Sequence, residues 1–193
     1  MLRSMKKGTT NATDWDVKTF EVTAKSIETA PVLNGLDDAK ATLKRAFEGG
    51  PRLLLLSGPP GSGKSALTQW LAAETKRPMF VKSAAEFVHM FVGVGAARVR
   101  KFMEVAVAGA PCLVVLEDIE AIAARRANLP QNTQDEEGRR DEYMQSMLQL
   151  KDLLDGTRPL PANVVFIATT SHLDWLDEVF AARFMRIDLP ARS

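Results

Sequence analysis

The chain has 193 residues, 46% of them hydrophobic and 25% charged, which is enough for one domain with its own core. A net charge of +1 gives no general attraction for a polyanion, so nucleic acid is not among the expected partners. The lone Cys112 excludes a disulfide framework and suits a reducing, cytoplasmic setting, and no apolar run approaches the ~18 residues that span a bilayer.

The chain begins MLRSMKKGTTNATDW, a basic start without an apolar stretch, which is not a secretory signal. Asn11-Ala12-Thr13 is then a chance match to a glycosylation acceptor. Residues 1–30 are expected to form a tail and lead-in, and residues 31–193 the domain. Within the lead-in, DWDVKTFEVTAKS has some strand character. Leu36, Ala39, Leu43, Ala46 and Phe47 recur at helical spacing before Gly49-Gly50-Pro51 stops the pattern. RLLLLS is a short continuous apolar run, as expected of a parallel strand covered on both faces.

A glycine-rich turn follows, then a helix over 65–75, and PMFVKS reads as the second strand. The spacing predicts a helix over 96–108, ending at Gly109-Ala110-Pro111, and CLVVLE as a third buried strand. Residues 127–138 read as a polar loop and 141–154 as a helix stopped by Asp155-Gly156. NVVFIAT is a fourth strand, and residues 185–189 are expected to add a fifth. Strands alternating with helices predict an α/β fold, a mainly parallel five-stranded sheet between helices.

Gly58-Pro59-Pro60-Gly61-Ser62-Gly63-Lys64-Ser65 fits G-x-x-x-x-G-K-[ST]. It lies between a strand and a helix, as this phosphate loop requires. The glycines let backbone N–H groups converge on phosphate oxygens beside the positive end of a helix. Lys64 supplies a cation to the β- and γ-phosphates and Ser65 a hydroxyl to Mg²⁺, and Ala66 after them is counted with the nucleotide-binding residues. The bland alternative is a glycine-rich turn with an exposed lysine. ATP and Mg²⁺ are thus the expected cofactors. Such a site also needs a carboxylate near the metal and a group that polarises the attacking water. Glu117 and Asp118 end the third strand, where both can face the phosphates.

Further segments carry a resemblance. FVHMFVGVGAARVR, APCLVVLEDIEAIAARR and VVFIATTS, in this order after GPPGSGKS, resemble the AAA ATPase module of FtsH-type proteases. DEYMQSMLQLKDLLDG resembles that family's helix after the acidic strand, and NGLDDAK its segment beside the adenine pocket, which brings in Asn34 and Gly35. The likeness covers residues 31–190, and MFVGVGAARVR is its most specific part. It implies the large subdomain of an AAA+ module in a hexameric ring, or a mixed ring with related subunits, that couples ATP hydrolysis to threading a polypeptide. Met90-Phe91-Val92-Gly93 matches the family's pore loop, whose aromatic grips substrate. Residue types alone also allow Phe91 to pack in a core beside Phe87.

The departures concern the chemistry. The family's Asp-Glu-Ile-Asp becomes Glu117-Asp118-Ile119-Glu120, with each acid exchanged for the other. The resemblance gives Glu117 the Mg²⁺-side role and Asp118 the water-polarising role. Asp118 is a methylene short, so its carboxylate retreats by about 1–1.5 Å, and a misplacement of that size costs roughly a hundredfold in rate. Ser171 stands where the family has a sensor Asn, with Thr169 and Thr170 as neighbouring hydroxyls. In VFAARFMRIDLP, Arg183 matches the second of two family arginines that reach a neighbouring subunit's γ-phosphate; the first and its Pro-Gly turn are missing, and Arg186 is a weaker candidate.

The sequence ends at IDLPARS, where the family continues into a helical lid. It has no H-E-x-x-H, and its two histidines, His89 and His172, are not at metal-ligand spacing, so zinc proteolysis is not expected of this polypeptide. Two readings are expected: a slow AAA-type ATPase acting on polypeptide, or a nucleotide-dependent regulatory or scaffold subunit with little hydrolysis. A third, an ATPase acting on nucleic acid, lacks the basic excess it would need.

Overall fold

The computed structural model describes residues 20–88, 93–125, 136–155 and 160–191. In chain order the elements are β1 (Ala24–Lys25), α1 (Asp37–Phe47), β2 (Leu53–Ser57), α2 (Lys64–Thr75) and β3 (Met79–Ser83). They continue with a 3₁₀ turn (Ala84–Phe87), α3 (Val94–Ala108), β4 (Cys112–Glu117), α4 (Glu120–Ala123) and α5 (Glu136–Asp155). Last come β5 (Val164–Thr170), a 3₁₀ turn (Leu173–Trp175), α6 (Glu178–Ala181) and β6 (Met185–Asp188).

The sheet order is β1-β3-β4-β5-β2-β6, with every pairing parallel except that of β1. The five parallel strands are the five expected; the sixth is the two-residue β1, antiparallel to β3 at the edge. It lies in the lead-in segment, where Phe20 is buried against Phe87, with ring centroids 5.5 Å apart.

Strand β5 is buried along its whole length, Val164 to Thr170. A strand so placed must be apolar on both faces, and VVFIA satisfies that. One core lies on each side of the sheet. Phe87, Phe102, Val114 and Phe166 pack on one face. Leu43, Leu54, Leu67, Leu71, Val115 and Ile167 pack on the other. Successive β4 residues, Val114 and Val115, serve opposite cores, as the two-residue period of a strand dictates.

Two helices start two or more residues earlier than expected. Helix α3 begins at Val94 because Gly93, at φ 86°, turns the chain into it. Helix α5 begins at Glu136, so residues 136–138 are helical rather than loop. The EEGRRDE start has no apolar face to reveal a period, although Glu and Arg favour helix. The tail, the Asn11 acceptor, and Met90, Phe91 and Val92 lie outside the described residues.

Candidate functional site: the carboxyl edge of the sheet

Three neighbouring parallel strands end side by side. Strand β5 runs between β4 and β2, with Ser57 opposite Thr170 and Leu116 opposite Ala168. The phosphate loop follows β2, the acids end β4, and Ser171 follows β5 between them. Ligands of open α/β sheets bind at this edge, beyond the carboxyl ends of the strands.

The loop is shaped for close backbone approach. Gly61 and Gly63 take left-handed φ values of 78° and 100°. A Cβ on Gly58 would lie 2.6 Å from the Leu189 carbonyl oxygen and 2.9 Å from Ser62 Oγ, so only glycine fits. The Gly58 N–H donates to the Thr170 carbonyl at 3.3 Å, and the Leu189 N–H to that of Ser57 at 2.7 Å, which pins the loop to β5 and to the chain after β6. Ser62 is fully buried and its Oγ has no hydrogen-bond partner among the described residues.

Lys64 opens α2 and is buried, while Ser65 beside it is exposed. Its ammonium donates to the carbonyls of Gly58 at 2.6 Å and Pro59 at 3.1 Å, and to Ser171 Oγ at 2.9 Å. Burial lowers the Lys64 pKa below its usual value, and the charges of Asp118 and Glu120 act in the opposite sense. Ala66 sits in the first turn of α2, packed against the second core.

At the end of β4, Glu117 is half-buried and Asp118 exposed. Asp118 has φ 53°, a left-handed conformation that Asp adopts more readily than most side chains. Its N–H donates to Thr169 Oγ1 at 3.3 Å, and the Ile119 N–H to the Thr169 carbonyl at 2.9 Å. The acidic turn is therefore tied to β5 by one threonine. Thr170 Oγ1 accepts from the His172 N–H at 3.0 Å, so the hydroxyls of both threonines bond backbone N–H groups. Sequence reasoning placed neither threonine in these roles. It also left Glu120 out of the site, although that residue accepts from the Ser171 N–H at 3.3 Å.

These features fit a phosphate ligand: a backbone cradle too tight for a side chain, an orphaned hydroxyl, a buried ammonium and flanking acids. A profile of the ATPase family associated with various cellular activities (AAA) matches residues 54–190. The chain belongs to the AAA family of ATPases. It is 38% identical over 148 residues to the ATP-dependent zinc metalloprotease FtsH 2 of Sphaerobacter thermophilus, covering 74% of this chain and 21% of that one. It is 39% identical over 171 residues to the ATP-dependent zinc metalloprotease FtsH of Pelodictyon phaeoclathratiforme, covering 83% and 25%. The chain thus spans about a quarter or less of the length of these relatives. In fold it is similar to the AAA domain of FIGL-1, with a TM-score of 0.70 and 22% identity, covering 97% of this chain and 64% of that one.

AAA ATPases of the FtsH type use ATP with Mg²⁺, and family members generally form oligomeric rings. Lys64 and Ser171 are in direct contact, Glu120 bonds the Ser171 backbone, and Glu117 and Asp118 end the adjacent strand. Asn34 and Gly35 are exposed, in a turn that Gly35 and Leu36 make with left-handed φ values of 72° and 61°. Lys40 Nζ closes that turn on the Leu33 carbonyl at 2.7 Å.

Arg183 is placed elsewhere. It bonds Asp155 at the end of α5 and the Val179 carbonyl, and only 18% of its side chain is exposed. Arg186 pairs with Asp188 at 2.7 Å on the surface. A separate cavity of about 470 Å³, lined by Arg125, Leu173, Asp174, Leu176, Glu178 and Arg186 among others, contains neither the phosphate loop nor the acids. Among the described residues no helix is long and apolar enough to cross a membrane, and no His/Cys/Asp/Glu cluster could hold a metal by itself.

Proposed function

We propose that this AAA module binds Mg-ATP, hydrolyses it slowly, and couples its nucleotide state to remodelling of a polypeptide. The observation that carries the reading is Lys64, buried at the sheet edge and bonded to Ser171 between the phosphate loop and the acids. Bound Mg-ATP would supply the transferable phosphoryl group. The backbone of residues 58–66 and the Lys64 ammonium would hold the phosphates, and Ser65 and Glu117 would supply oxygens to the metal. The Asp118 carboxylate would orient water and accept its proton, and the Ser171 hydroxyl would sense the terminal phosphate. Asn34 and Gly35 would border the base.

Slow turnover follows from Asp118. Its carboxylate is a methylene short, on a turn fixed to β5 through Thr169. Met90, Phe91, Val92 and Gly93 are assigned to substrate contact, because an aromatic beside a glycine can pack on almost any extended chain. Self-association into a hexameric ring, or a mixed ring with related subunits, would place Arg183 near a neighbour's nucleotide. The single Cys112 thiol suits the cytoplasm.

A second reading, a regulatory subunit with residual hydrolysis, is favoured by Arg183 being engaged within its own chain. Steady-state phosphate release decides between them. Release above that of Lys64→Ala supports the ATPase, and release equal to it supports the regulatory subunit. Mass measurement with and without ATP tests assembly.

A further inference from the structure

The Ser171 backbone is tied to the third acid of the strand end, Glu120, rather than to the two that lead it. The Ser171 N–H donates to Glu120 Oε1 at 3.3 Å, and the Ser171 hydroxyl accepts from Lys64 at 2.9 Å. One residue thus joins the phosphate-loop cation to an acid on α4. Glu120 Oε2 is buried without a hydrogen-bond partner among the described residues, so this carboxylate is committed to the site interior rather than to solvent. Glu120 is also one of two carboxylates whose charge acts on Lys64.

Chain geometry explains why this acid is the one that reaches. Asp118 turns left-handed at φ 53°, and Glu120 follows two residues later as the first residue of α4. The Asp118 N–H is drawn to Thr169 and the Ile119 N–H to the same residue, which brings the start of α4 against the end of β5. Glu120 then has the length to meet the amide two residues beyond Thr169.

From this arrangement we infer that Glu120 is a positioning residue for nucleotide discrimination: it fixes the Ser171 backbone so that the Ser171 hydroxyl is held against Lys64, where a terminal phosphate must be read. This rests on the nucleotide-binding reading above. Ser171 is a short sensor, so its backbone must be held in place for the hydroxyl to report on a phosphate; a longer side chain could tolerate slack. Removing the acceptor frees the backbone and blurs the distinction between ATP and ADP, with a smaller effect on the affinity that the phosphate loop supplies to both.

The test begins with the nucleotide-free protein. Amide hydrogen exchange is measured at Ser171 and at β5 core amides such as Ile167, in wild type, Glu120→Ala and Glu120→Gln. The expected result is at least tenfold faster exchange at Ser171 in Glu120→Ala, unchanged exchange at Ile167, and recovery in Glu120→Gln, which keeps an acceptor oxygen. Unchanged Ser171 exchange in Glu120→Ala, or equal acceleration at Ile167, overturns the inference.

Equilibrium titrations with ATP and ADP follow. In Glu120→Ala the ratio of ADP to ATP dissociation constants should fall about tenfold, and Glu120→Gln should restore it. A parallel loss of both affinities also overturns the inference. Wild type that binds neither nucleotide overturns the functional reading, while the exchange data still decide whether Glu120 holds Ser171.

Discussion

Lys64 Nζ lies 2.9 Å from Ser171 Oγ, so the phosphate-loop cation and the hydroxyl after the central strand are joined directly. The bond exists because β5 lies between β2 and β4, which puts Ser171 within reach of the loop. Ser171→Ala would leave a buried ammonium with two carbonyl partners, Gly58 and Pro59. A hydrogen bond to a charged group contributes about 1.5–3 kcal/mol when both partners are buried, and Ser171 is only half-buried. The expected loss in folding stability is therefore about 1 kcal/mol, read by urea denaturation of the nucleotide-free protein. A variant as stable as wild type means the bond contributes nothing.

The Asp118 turn sets a limit on repairing the reversed acids. Its φ of 53° favours Asp or Asn over Glu. Exchanging Glu117→Asp with Asp118→Glu restores the family order but places a longer side chain on a left-handed residue, at a cost of about 1 kcal/mol. The expected outcome is lower thermal stability with phosphate release raised about tenfold. Asp118→Asn, which suits the turn, should keep ATP affinity within about twofold and reduce release about a hundredfold. Release that is unmoved in both variants would remove Asp118 from the chemistry.

Gly58 tests the loop itself. An added methyl meets the Leu189 carbonyl at 2.6 Å and Ser62 Oγ at 2.9 Å, and the backbone oxygen cannot swing away like a side-chain tip. Gly58→Ala should destabilise the fold by about 1–3 kcal/mol, as overpacking does. It should also weaken ATP binding at least tenfold, by displacing the loop N–H groups proposed to hold the phosphates. Calorimetric unfolding and ATP titration read the two effects, and normal values in both would show that the loop has room.

Much of this site was legible in the residue order, for a physical reason. GPPGSGKS is a local motif whose geometry depends on its own glycines, and the strands Leu53–Ser57 and Val164–Thr170 are almost wholly buried and read as apolar runs, LLLL and VVFIA. What was not legible depends on strand order. Nothing in the spacing of Ser171 and Glu120, 51 residues apart, says that they meet. Their meeting follows from β4 and β5 being neighbours. The third acid, standing two residues beyond Asp118 at the start of a helical turn, was the one available signal. The start of α5 was missed because EEGRRDE is polar all round and carries no period.

Cys112 gives a pH-dependent prediction away from the site. Its thiol is fully buried, donates to the Ala106 carbonyl at 3.1 Å, and burial pushes its pKa from 9.0 up to about 11. The unfolded chain therefore loses this proton first. Stability linked to the thiol is complete below pH 9.0 and falls as pH rises toward about 11. The loss is at most about 1.4 kcal/mol per pH unit. Cys112→Ala should show a flatter decline across that window. Alkylation of the native thiol at pH 8 should run no faster than unfolding, and rapid alkylation would mean that the thiol is accessible.

Arg183 provides the test of ring chemistry. In the single chain it bonds Asp155 and the Val179 carbonyl, away from its own phosphate loop. An arginine that serves the next subunit must act in trans, which makes complementation decisive. On the proposed reading, Lys64→Ala subunits lose the nucleotide but carry Arg183, whereas Arg183→Ala subunits keep the nucleotide but lack the arginine. Each variant alone should release phosphate at a small fraction of the wild-type rate. Random mixing in equal amounts pairs an intact site with an intact arginine at about a quarter of interfaces, so phosphate release should recover to about that fraction of wild type. Mixed rings detected by mass whose turnover stays at the level of the parents would show that Arg183 serves only its own chain, through Asp155.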